Sequence, residues 1–443
     1  MIKRIALMFA ITGVGYGFSI VALKYLALYG SVNQVAGIAE VESLIQFLIG
    51  LIGFGMQGEA IRSISFASDW KERLGDAQRA RFTFSLLLMF VAVLSFFNQY
   101  YLYFLLAPLV ALNSDYALYA RGFPILGSLV AFFRVVTPLL AALIAATTAP
   151  SNVLITYFLA NVVVYFLTNA VIAWYLKAPL FYSPTLTSLK LYLTTVPLGI
   201  INLCFYFFGL GILLLAQLFF NDKELIVSFV ALKFYLIYKG AIRVIHQAFV
   251  NRMREEIVCL SIDRICIMIG VLLFGSILIF PATFIGLFFG EQFTSNIHFF
   301  VLLGVSIVSF SIFNSASTKA LLERKDIGFM KVLLIGVFVS TSLLFTLFQS
   351  NKSSTIIMVS LCAGETICAL MLALTFFSWY QVQLRLLFLM SCSIGLVLPW
   401  LAKIWMNEGV FTYLISFSLL GILMLLFTHK KLVLPQIVNE STT

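Results

Sequence analysis

Long apolar stretches separated by short polar segments run along almost the whole chain. A helix that crosses a bilayer needs about 20 predominantly apolar residues. Fourteen stretches approach this length, and the predicted spans are residues 5–29, 38–57, 82–98, 116–133, 135–150, 152–176, 191–220, 225–249, 265–289, 298–318, 332–349, 355–379, 386–404 and 411–428. The segment 116–176 is almost continuously apolar, with Arg121 and Arg134 as its charged residues, and three closely connected spans fit it better than two.

The composition agrees with this pattern. Of the 443 residues, 62% are hydrophobic and 10% are charged, whereas soluble domains contain roughly 45–50% apolar and about 25% charged residues. No polar segment is long enough to form a soluble domain of its own. The sequence therefore predicts an all-α polytopic membrane protein with about 14 transmembrane helices.

Several other classes of protein are disfavoured. The formal net charge of +10 does not indicate nucleic-acid binding, because the basic residues lie in short segments between the apolar stretches. The six cysteines form no CxxC pair, and the three histidines do not have the spacing of metal ligands. We therefore expect no metal, no disulfide framework, no cofactor and no catalytic residue.

The basic residues predict the orientation of the chain. Short cytoplasmic loops are enriched in Lys and Arg, and the positive charge is concentrated in alternate polar segments, at 58–81, 250–264 and 319–331, at Lys177, Lys190 and Arg385, and in the C-terminal tail. The intervening segments 30–37 and 146–151 carry no basic residue. Both termini are therefore predicted to be cytoplasmic, and the N-terminal apolar stretch is interpreted as a retained first span.

The lengths of the polar segments follow the same order in the two halves of the chain. A hairpin with a short outward loop leads to a basic cytoplasmic segment and then to a further hairpin. This order predicts two six-helix lobes related by an axis along the membrane normal. We expect one lobe at residues 1–190, the other at 191–380, and two additional helices with a cytoplasmic tail at 381–443.

Charged residues inside predicted spans are candidates for function, since they are costly in hydrocarbon. In the first half these are Lys24, Glu40, Glu42 and Arg121, each placed by the span map about a turn below the outer face. Glu40 and Glu42 are two residues apart and cannot both face one cavity. One of them could pair with Lys24, or the long side chains could reach the membrane interface.

The span 225–249 carries a basic stripe. Lys233 lies about eight residues below its outer end, and Lys239, Arg243 and His246 follow with the spacing of one helix face. Such a stripe suits an anionic ligand such as a phosphate, although Arg243 and His246 could equally belong to the cytoplasmic positive band. Glu365, near the middle of span 355–379, is predicted either to bind a coupling cation or proton or to pair with a lysine.

Three short motifs suggest a family. The segment Gly30 to Arg62 forms a turn and a helix that ends in Gly-Phe-Gly-Met-Gln before a basic residue, residues 285–295 read Ile-Gly-Leu-Phe-Phe-Gly-Glu-Gln-Phe-Thr-Ser, and residues 320–325 read Ala-Leu-Leu-Glu-Arg-Lys. In these motifs and in its span pattern the chain resembles the polysaccharide (O-antigen type) flippases of the multidrug/oligosaccharidyl-lipid/polysaccharide exporter superfamily. The resemblance covers most of the chain.

The resemblance implies a MATE-like, V-shaped, two-lobed fold that works by alternating access in the bacterial inner membrane. The implied substrate is an undecaprenyl-diphosphate-linked oligosaccharide used for O-antigen or similar surface polysaccharide, including lipopolysaccharide. The implied partners, besides this substrate and the lipid bilayer, are a polysaccharide polymerase and a chain-length regulator. Lys24, Arg121, Lys233, Lys239 and Arg243 would then contact the diphosphate.

Other functions remain open at this point. A cation-coupled small-molecule or drug exporter of the same fold would favour a more acidic or aromatic cavity, and the basic residues argue modestly against it. An O-antigen polymerase or ligase would carry a large periplasmic loop, and no polar segment is long enough. A purely structural membrane protein would leave the charges within the spans without a reason. Glu42 and Glu365 are the candidates for ion coupling or charge pairing.

Overall fold

The computed structural model describes residues 2–29, 32–64, 67–94, 104–220, 222–249, 253, 255–350, 353, 355–406 and 409–431. Within these ranges the chain is almost entirely helical and contains no β-strand. It divides into two compact units, Met1–Ile237 and Tyr238–Thr443. The predicted lobe boundaries near residues 190 and 380 stay predictions.

In the part that the structure describes, the first unit contains eleven α-helices and the first part of a twelfth. In chain order they are α1 Ile2–Tyr29, α2 Val32–Gly53, α3 Met56–Ile64, α4 Trp70–Leu94, α5 Ala107–Ala111, α6 Asp115–Ala120, α7 Pro124–Thr148, α8 Val153–Leu176, α9 Lys190–Thr194, α10 Val196–Tyr206, α11 Ile212–Ala216 and α12 Asp222–Phe249. A π-helical turn, Phe207–Gly211, joins α10 to α11. The unit boundary at Ile237 falls inside α12.

The described residues of the second unit contain the rest of α12 and nine further α-helices. These are α13 Glu256–Ile279, α14 Pro281–Phe288, α15 Ile297–Ile312, α16 Ser315–Leu322, α17 Asp326–Ser350, α18 Thr355–Phe376, α19 Trp379–Gly395, α20 Val397–Met406 and α21 Val410–Lys431. A buried apolar cluster that includes Ile267 and Val271 of α13, Cys392 of α19 and Leu420 of α21 packs the two C-terminal predicted spans against this unit.

The prediction of an all-α polytopic membrane protein is confirmed. The described residues contain ten helices that are long and apolar enough to cross a membrane, and three shorter apolar helices. The predicted span 82–98 corresponds to the C-terminal half of α4, and residues 95–98 lie outside the described part. The lipid-facing character is also visible in single side chains, since Trp174 and Leu374 are 80% and 76% exposed on their helices.

The predicted boundaries within 116–150 are wrong. One continuous helix, α7, contains the last part of the predicted span 116–133 and most of 135–150, while residues 116–120 belong to the shorter apolar helical segment Phe104–Ala120. The preceding turn lies at Gly122, whose φ of 80° suits glycine, and Pro124 begins the helix at a position where its missing N–H is not needed. Arg134 does not interrupt the helix because neighbouring side chains bind its guanidinium.

The predicted span 38–57 ends earlier than expected. α2 stops at Gly53, and Phe54 and Gly55 have φ angles of 23° and 78° before α3 begins. Two carbonyl groups at this break accept hydrogen bonds from side chains of α9 and its C-terminal cap. Tyr192 donates to the carbonyl of Ile52 (2.7 Å), and Thr195 donates to that of Phe54 (3.2 Å). These hydrogen bonds attach the break between α2 and α3 to the region of α9 and α10.

Basic residues that were predicted to lie in cytoplasmic loops are partly helical and buried. Arg81 lies in α4 and is completely buried, Arg385 lies in α19 and is 1% exposed, and Arg264 lies half-buried in α13. The sequence pattern placed them correctly near the ends of apolar stretches. Their burial was not foreseen because it depends on acceptors from distant parts of the chain.

Candidate functional site

In the first unit, Lys233 of α12 forms an ion pair with Glu42 of α2. Both residues lie near the middle of long apolar helices, and their side chains are only 9% and 15% exposed. The lysine predicted to bind an anion is therefore neutralised here by one of the predicted acidic residues.

In the second unit, Lys239 of α12 pairs with Glu365 of α18. The distance from Nζ to Oε1 is 2.7 Å, and the two side chains are 13% and 6% exposed. The ammonium group also lies 4.9 Å from the ring centre of Phe310, within the range of a cation–π contact. Of the two alternatives that the sequence left open for Glu365, the structure contains the pairing with a lysine.

The two ion pairs have the same physical character. Each joins one cation and one carboxylate in an environment with little access to water, so each pair is close to neutral. Removing one partner of such a pair leaves a buried charge without compensation and typically costs about 3–5 kcal/mol. A ligand that supplied new negative charge to the lysine could replace the carboxylate without leaving the lysine alone.

The remaining residues of the predicted basic stripe differ in their surroundings. Arg243 is exposed. His246 is buried, and its Nδ1 lies 2.9 Å from the hydroxyl oxygen of Thr318 on α16. The spacing of α12 thus turns Lys239 and His246 toward neighbouring helices while Arg243 remains accessible to a ligand.

Lys24 and Arg121 were both predicted near the outer face. Lys24 is half-buried in α1. Arg121 lies in the turn that connects α6 to α7, and its guanidinium stacks 4.8 Å from the ring centre of Trp70 at the start of α4. Trp70 lies within the basic segment 58–81, so Arg121 lies at the same end of the first unit as that segment and not near the opposite end, where the span map placed it.

A buried polar cluster in the first unit surrounds Arg134 of α7. The side chain is 7% exposed. Nε donates to Thr168 Oγ1 (3.0 Å), Nη2 donates to Asn169 Oδ1 (2.7 Å), and Nη1 donates to Asn113 Oδ1 (2.9 Å) and to Asp115 Oδ2 (3.3 Å). We refer to these five residues as the Arg134 cluster. The sequence analysis noted Arg134 only as a charge in an apolar segment.

Arg81 of α4 joins the same region through the backbone. It donates to the carbonyl of Asn113 and to Gln78 Oε1 (2.8 Å), and its guanidinium lies 5.5 Å from the ring centre of Tyr116. Asn113, in the short segment between α5 and α6, is therefore bound by two arginines. Arg81 of α4 donates to its backbone carbonyl, and Arg134 of α7 donates to its side-chain oxygen.

A second buried ion pair, which sequence reasoning missed, lies in the second unit. Arg385 Nε of α19 is 2.7 Å from Asp263 Oδ2 of α13, and both residues are almost completely buried. Asp263 also accepts hydrogen bonds from the backbone N–H and the hydroxyl of Ser315, at 2.8 and 2.6 Å. The donors to Asp263 lie on two other helices, Ser315 on α16 and Arg385 on α19, so no local sequence motif could reveal the site.

One signal in the sequence could have pointed to these clusters. Amide and hydroxyl side chains such as Asn113, Thr168 and Asn169 are costly inside an apolar helix unless they are hydrogen-bonded. Their presence within apolar stretches close to an arginine indicates a buried network. Among the residues that the structure describes, no group of three or more His, Cys, Asp or Glu side chains could hold a metal ion.

Comparison by sequence finds no relative. No protein-family model matches the chain, and no curated protein matches it.

Comparison by structure does find similar folds. A structure of the lipid II flippase MurJ in an inward closed conformation has a TM-score of 0.68 with 14% identity, and covers 96% of this chain and 98% of its own. A MATE structure in complex with MaL6 has a TM-score of 0.56 with 14% identity, covering 88% and 97%. An inward-facing multidrug resistance MATE family transporter of the MOP superfamily has a TM-score of 0.55 with 14% identity, covering 88% and 99%.

These similarities extend over nearly the full length of all three structures, which excludes a shared fragment as their cause. At 14% identity they establish architecture. The chain is a multi-pass membrane protein with the helical fold of the MOP-superfamily transporters and of the MurJ flippase.

Proposed function

We propose that this protein is a flippase that moves undecaprenyl-diphosphate-linked oligosaccharide repeat units across the bacterial cytoplasmic membrane by alternating access. The repeat units would serve the assembly of O-antigen or a similar surface polysaccharide. Both termini would be cytoplasmic, and the protein would act beside a polymerase and a chain-length regulator. The protein itself would catalyse no covalent reaction.

The main support is the fold. The lipid II flippase matches with a higher TM-score than the two MATE structures, 0.68 against 0.56 and 0.55, and it covers more of this chain. The folds that resemble this chain therefore include a precedent for the transport of a lipid-linked head group, which supports the proposal.

The second support is the chemistry of α12. Lys233 and Lys239 lie in the interior of an apolar helix, where an ionised side chain is retained only if it has a partner. A diphosphate carries several negative charges and can replace a single carboxylate as that partner. Arg243 adds a guanidinium that is exposed and can donate two parallel hydrogen bonds to phosphate oxygens.

A mechanism follows from these contacts. The head group would first meet basic groups, among them Arg121, at the end proposed to be cytoplasmic. It would then reach the lysines of α12, where it would displace or supplement the carboxylate partner of each lysine. Lys24 would act farther along the path. Glu42 and Glu365, once released from their lysines, would need a cation or a proton, so these two residues are the proposed places for ion coupling.

A cation-coupled small-molecule exporter is the second candidate. It is favoured by the MATE similarity and by the two acidic residues near the middle of their helices. In that case the carboxylates would be the substrate or cation ligands, and the lysines would serve to hold them. In each ion pair, the flippase hypothesis thus assigns the lysine to the substrate, and the exporter hypothesis assigns the carboxylate.

The test is deletion of the gene in its native host, followed by analysis of surface polysaccharide and of lipid-linked intermediates. The flippase hypothesis predicts loss of the polymer and accumulation of complete repeat units on the cytoplasmic side. Normal polysaccharide together with increased sensitivity to small toxic cations would instead support the exporter.

Complementation with variants refines this test. Lys233→Met combined with Glu42→Leu removes the ion pair without leaving a buried charge, so the protein should fold but fail to restore the polymer. Lys190→Ala, which removes an exposed lysine outside the long helices, is the matched control and should restore it. Restoration by the double variant would show that Lys233 does not contact the substrate.

A further inference from the structure

Among the residues that the structure describes, Arg264 of α13 is a half-buried cation with which no carboxylate forms an ion pair. Its guanidinium lies 5.7 Å from the ring centre of Phe388 on α19. Its Nε is shielded from water and has no hydrogen-bond partner. A guanidinium is always charged and carries several N–H donors, so the second unit leaves both the charge and the donors of this side chain unused.

The neighbouring carboxylate, Asp263, is already occupied. It is completely buried, pairs with Arg385 at 2.7 Å and accepts two further hydrogen bonds from Ser315. The facing parts of α13 and α19 thus carry two arginines and one carboxylate. Arg385 balances the charge of Asp263, and the charge of Arg264 remains. Because an uncompensated charge is costly where water is scarce, the binding of an anion beside Arg264 is favourable.

The position of Arg264 along its helix corresponds to the level of lipid head groups. The residue directly precedes the predicted span 265–289. At the start of the adjacent helix α19, Trp379 and Tyr380 are both 68% exposed. Exposed Trp and Tyr side chains are typical of the boundary between membrane and water. The anion that meets Arg264 is therefore expected to belong to the membrane surface.

The protein surface beyond Arg264 is apolar. Phe388, which contacts the guanidinium, also packs against the buried apolar cluster that joins α13, α19 and α21. Leu387 and Met390 of α19 are exposed next to it in the sequence. An amphiphilic anion fits this arrangement, because its charged group meets the arginine while its apolar chains lie along α19.

We infer that Arg264 binds the phosphate group of an anionic phospholipid at the end of the second unit where α13 and α19 begin. The guanidinium donates two parallel hydrogen bonds to phosphate oxygens, and the lipid supplies the negative charge that Asp263 cannot. Under the predicted orientation this end is cytoplasmic, and basic pockets between membrane helices on that side bind the head groups of anionic lipids. The bound lipid stabilises the contact between the two helices.

The experiment is thermal unfolding of the purified protein in detergent with added phospholipid. Phosphatidylglycerol and phosphatidylcholine with identical acyl chains both contain a phosphate, but only phosphatidylglycerol has a net negative charge. We expect phosphatidylglycerol to raise the melting temperature of the intact protein saturably, by about 3 °C, because a ligand of the folded state stabilises it. Phosphatidylcholine should leave it nearly unchanged. Inorganic phosphate should do the same, since it has no apolar chains.

Arg264→Met separates this site from general effects of lipid. Without added lipid the variant should melt at the same temperature as the intact protein or slightly higher, because the charge that it loses has no partner. It should not respond to phosphatidylglycerol. Arg264→Lys should keep only part of the response, since an ammonium cannot form the paired hydrogen bonds of a guanidinium. Lys331→Met removes an exposed positive charge from the same unit and should keep the full response.

Four results would overturn the inference. The first is equal stabilisation of the intact protein by the two phospholipids, and the second is a full response of Arg264→Met to phosphatidylglycerol. The third is equal stabilisation by inorganic phosphate, which would identify a site for a free anion. The fourth is failure to obtain folded protein for both Arg264→Met and Arg264→Gln, since the guanidinium would then support the fold by itself. None of these readouts depends on transport, so the proposed function can fail separately.

Discussion

Lys239 and Glu365 lie 2.7 Å apart in the second unit, on two helices whose sequence positions are separated by 126 residues. Neither side chain is more than 13% exposed. Either charge alone would be costly inside an apolar helix, whereas together the two residues form a neutral pair that the membrane interior tolerates. This pairing links the stability of the second unit to whatever ligand can compete for Lys239.

The first prediction concerns this pair. Glu365→Gln should lower the free energy of unfolding by about 3–5 kcal/mol, because it leaves the Lys239 ammonium buried without its counter-charge. Lys239→Met together with Glu365→Leu should be near neutral, since replacement of a buried pair by apolar groups of similar volume often is. Thermal unfolding of the purified variants in detergent measures both.

The same variants separate structure from function. The double variant should be stable yet unable to restore surface polysaccharide in the deletion strain if Lys239 contacts the diphosphate. Lys331→Ala removes an exposed lysine at the start of α17 and should be normal in both assays. A stable double variant with full complementation would limit the pair to a structural role.

The second prediction concerns Arg385 and Asp263. Arg385→Ala should reduce stability by about 3–5 kcal/mol because Asp263 is completely buried and would lose its cation. Arg385→Lys should recover only part of this loss, since the guanidinium also donates to the carbonyl of Gln381 (3.1 Å) and stacks 4.1 Å from the ring centre of Phe377. Expression level and melting temperature report the effect.

A control for this prediction lies two residues away on the same helix. Gln383 is exposed, so Gln383→Ala should change the free energy of unfolding by no more than about 0.5 kcal/mol. Equal effects of Arg385→Ala and Gln383→Ala would mean that the ion pair does not hold α19 to α13.

The third prediction concerns the side of the membrane on which Arg121 lies. The contact of Arg121 with Trp70 places this turn beside the basic segment 58–81. Under the predicted orientation this end is cytoplasmic, and the connection at residues 149–152 lies at the outer end. A membrane-impermeant thiol reagent applied to intact cells should therefore modify Ser151→Cys but not Phe123→Cys. Both positions are exposed in the structure.

Permeabilised cells provide the control, since both cysteines should react there. The parent protein gives the background, because five of its six cysteines are buried and Cys362 is half-buried. Modification of Phe123→Cys in intact cells would return Arg121 to the outer end and reverse the corrected topology.

The fold class could be predicted from the sequence because it depends on local properties. Apolar stretches about 20 residues long separated by basic segments leave few structures other than transmembrane helices. The boundaries near Arg134 were wrong for a specific reason. The almost continuously apolar segment 116–176 gives no local signal of where one helix ends and the next begins. The partners that let Arg134 lie within a helix include Asp115 and Asn169, which are 19 and 35 residues away.

The candidate site was predictable in part. Lys233, Lys239, Glu42 and Glu365 could be selected because ionised residues are rare in apolar helices. Which residue pairs with which could not be derived, since Glu42 and Lys233 are separated by 191 positions and meet only through helix packing. Asp263 was not selected, and Arg385 was interpreted only as a topology signal, because both lie just before the predicted spans 265–289 and 386–404, where a charge needs no explanation.

The last prediction concerns the break between α2 and α3. A Cβ on Gly55 would lie 2.5 Å from the backbone nitrogen of Gly199 and 2.7 Å from the carbonyl oxygen of Thr195, and its φ of 78° disfavours other residues. Gly55→Ala should therefore cost about 2–5 kcal/mol, from about 1–2 for the left-handed backbone and about 1–3 for overpacking. Gly58→Ala is the matched control three residues on, since its Cβ would meet its nearest atom at 3.9 Å. It should change the free energy of unfolding by less than about 1 kcal/mol. The expected change is a small increase, because alanine has a higher helix propensity than glycine. Equal melting temperatures for the two variants would show that the close contact between the break and α10 is not required for folding.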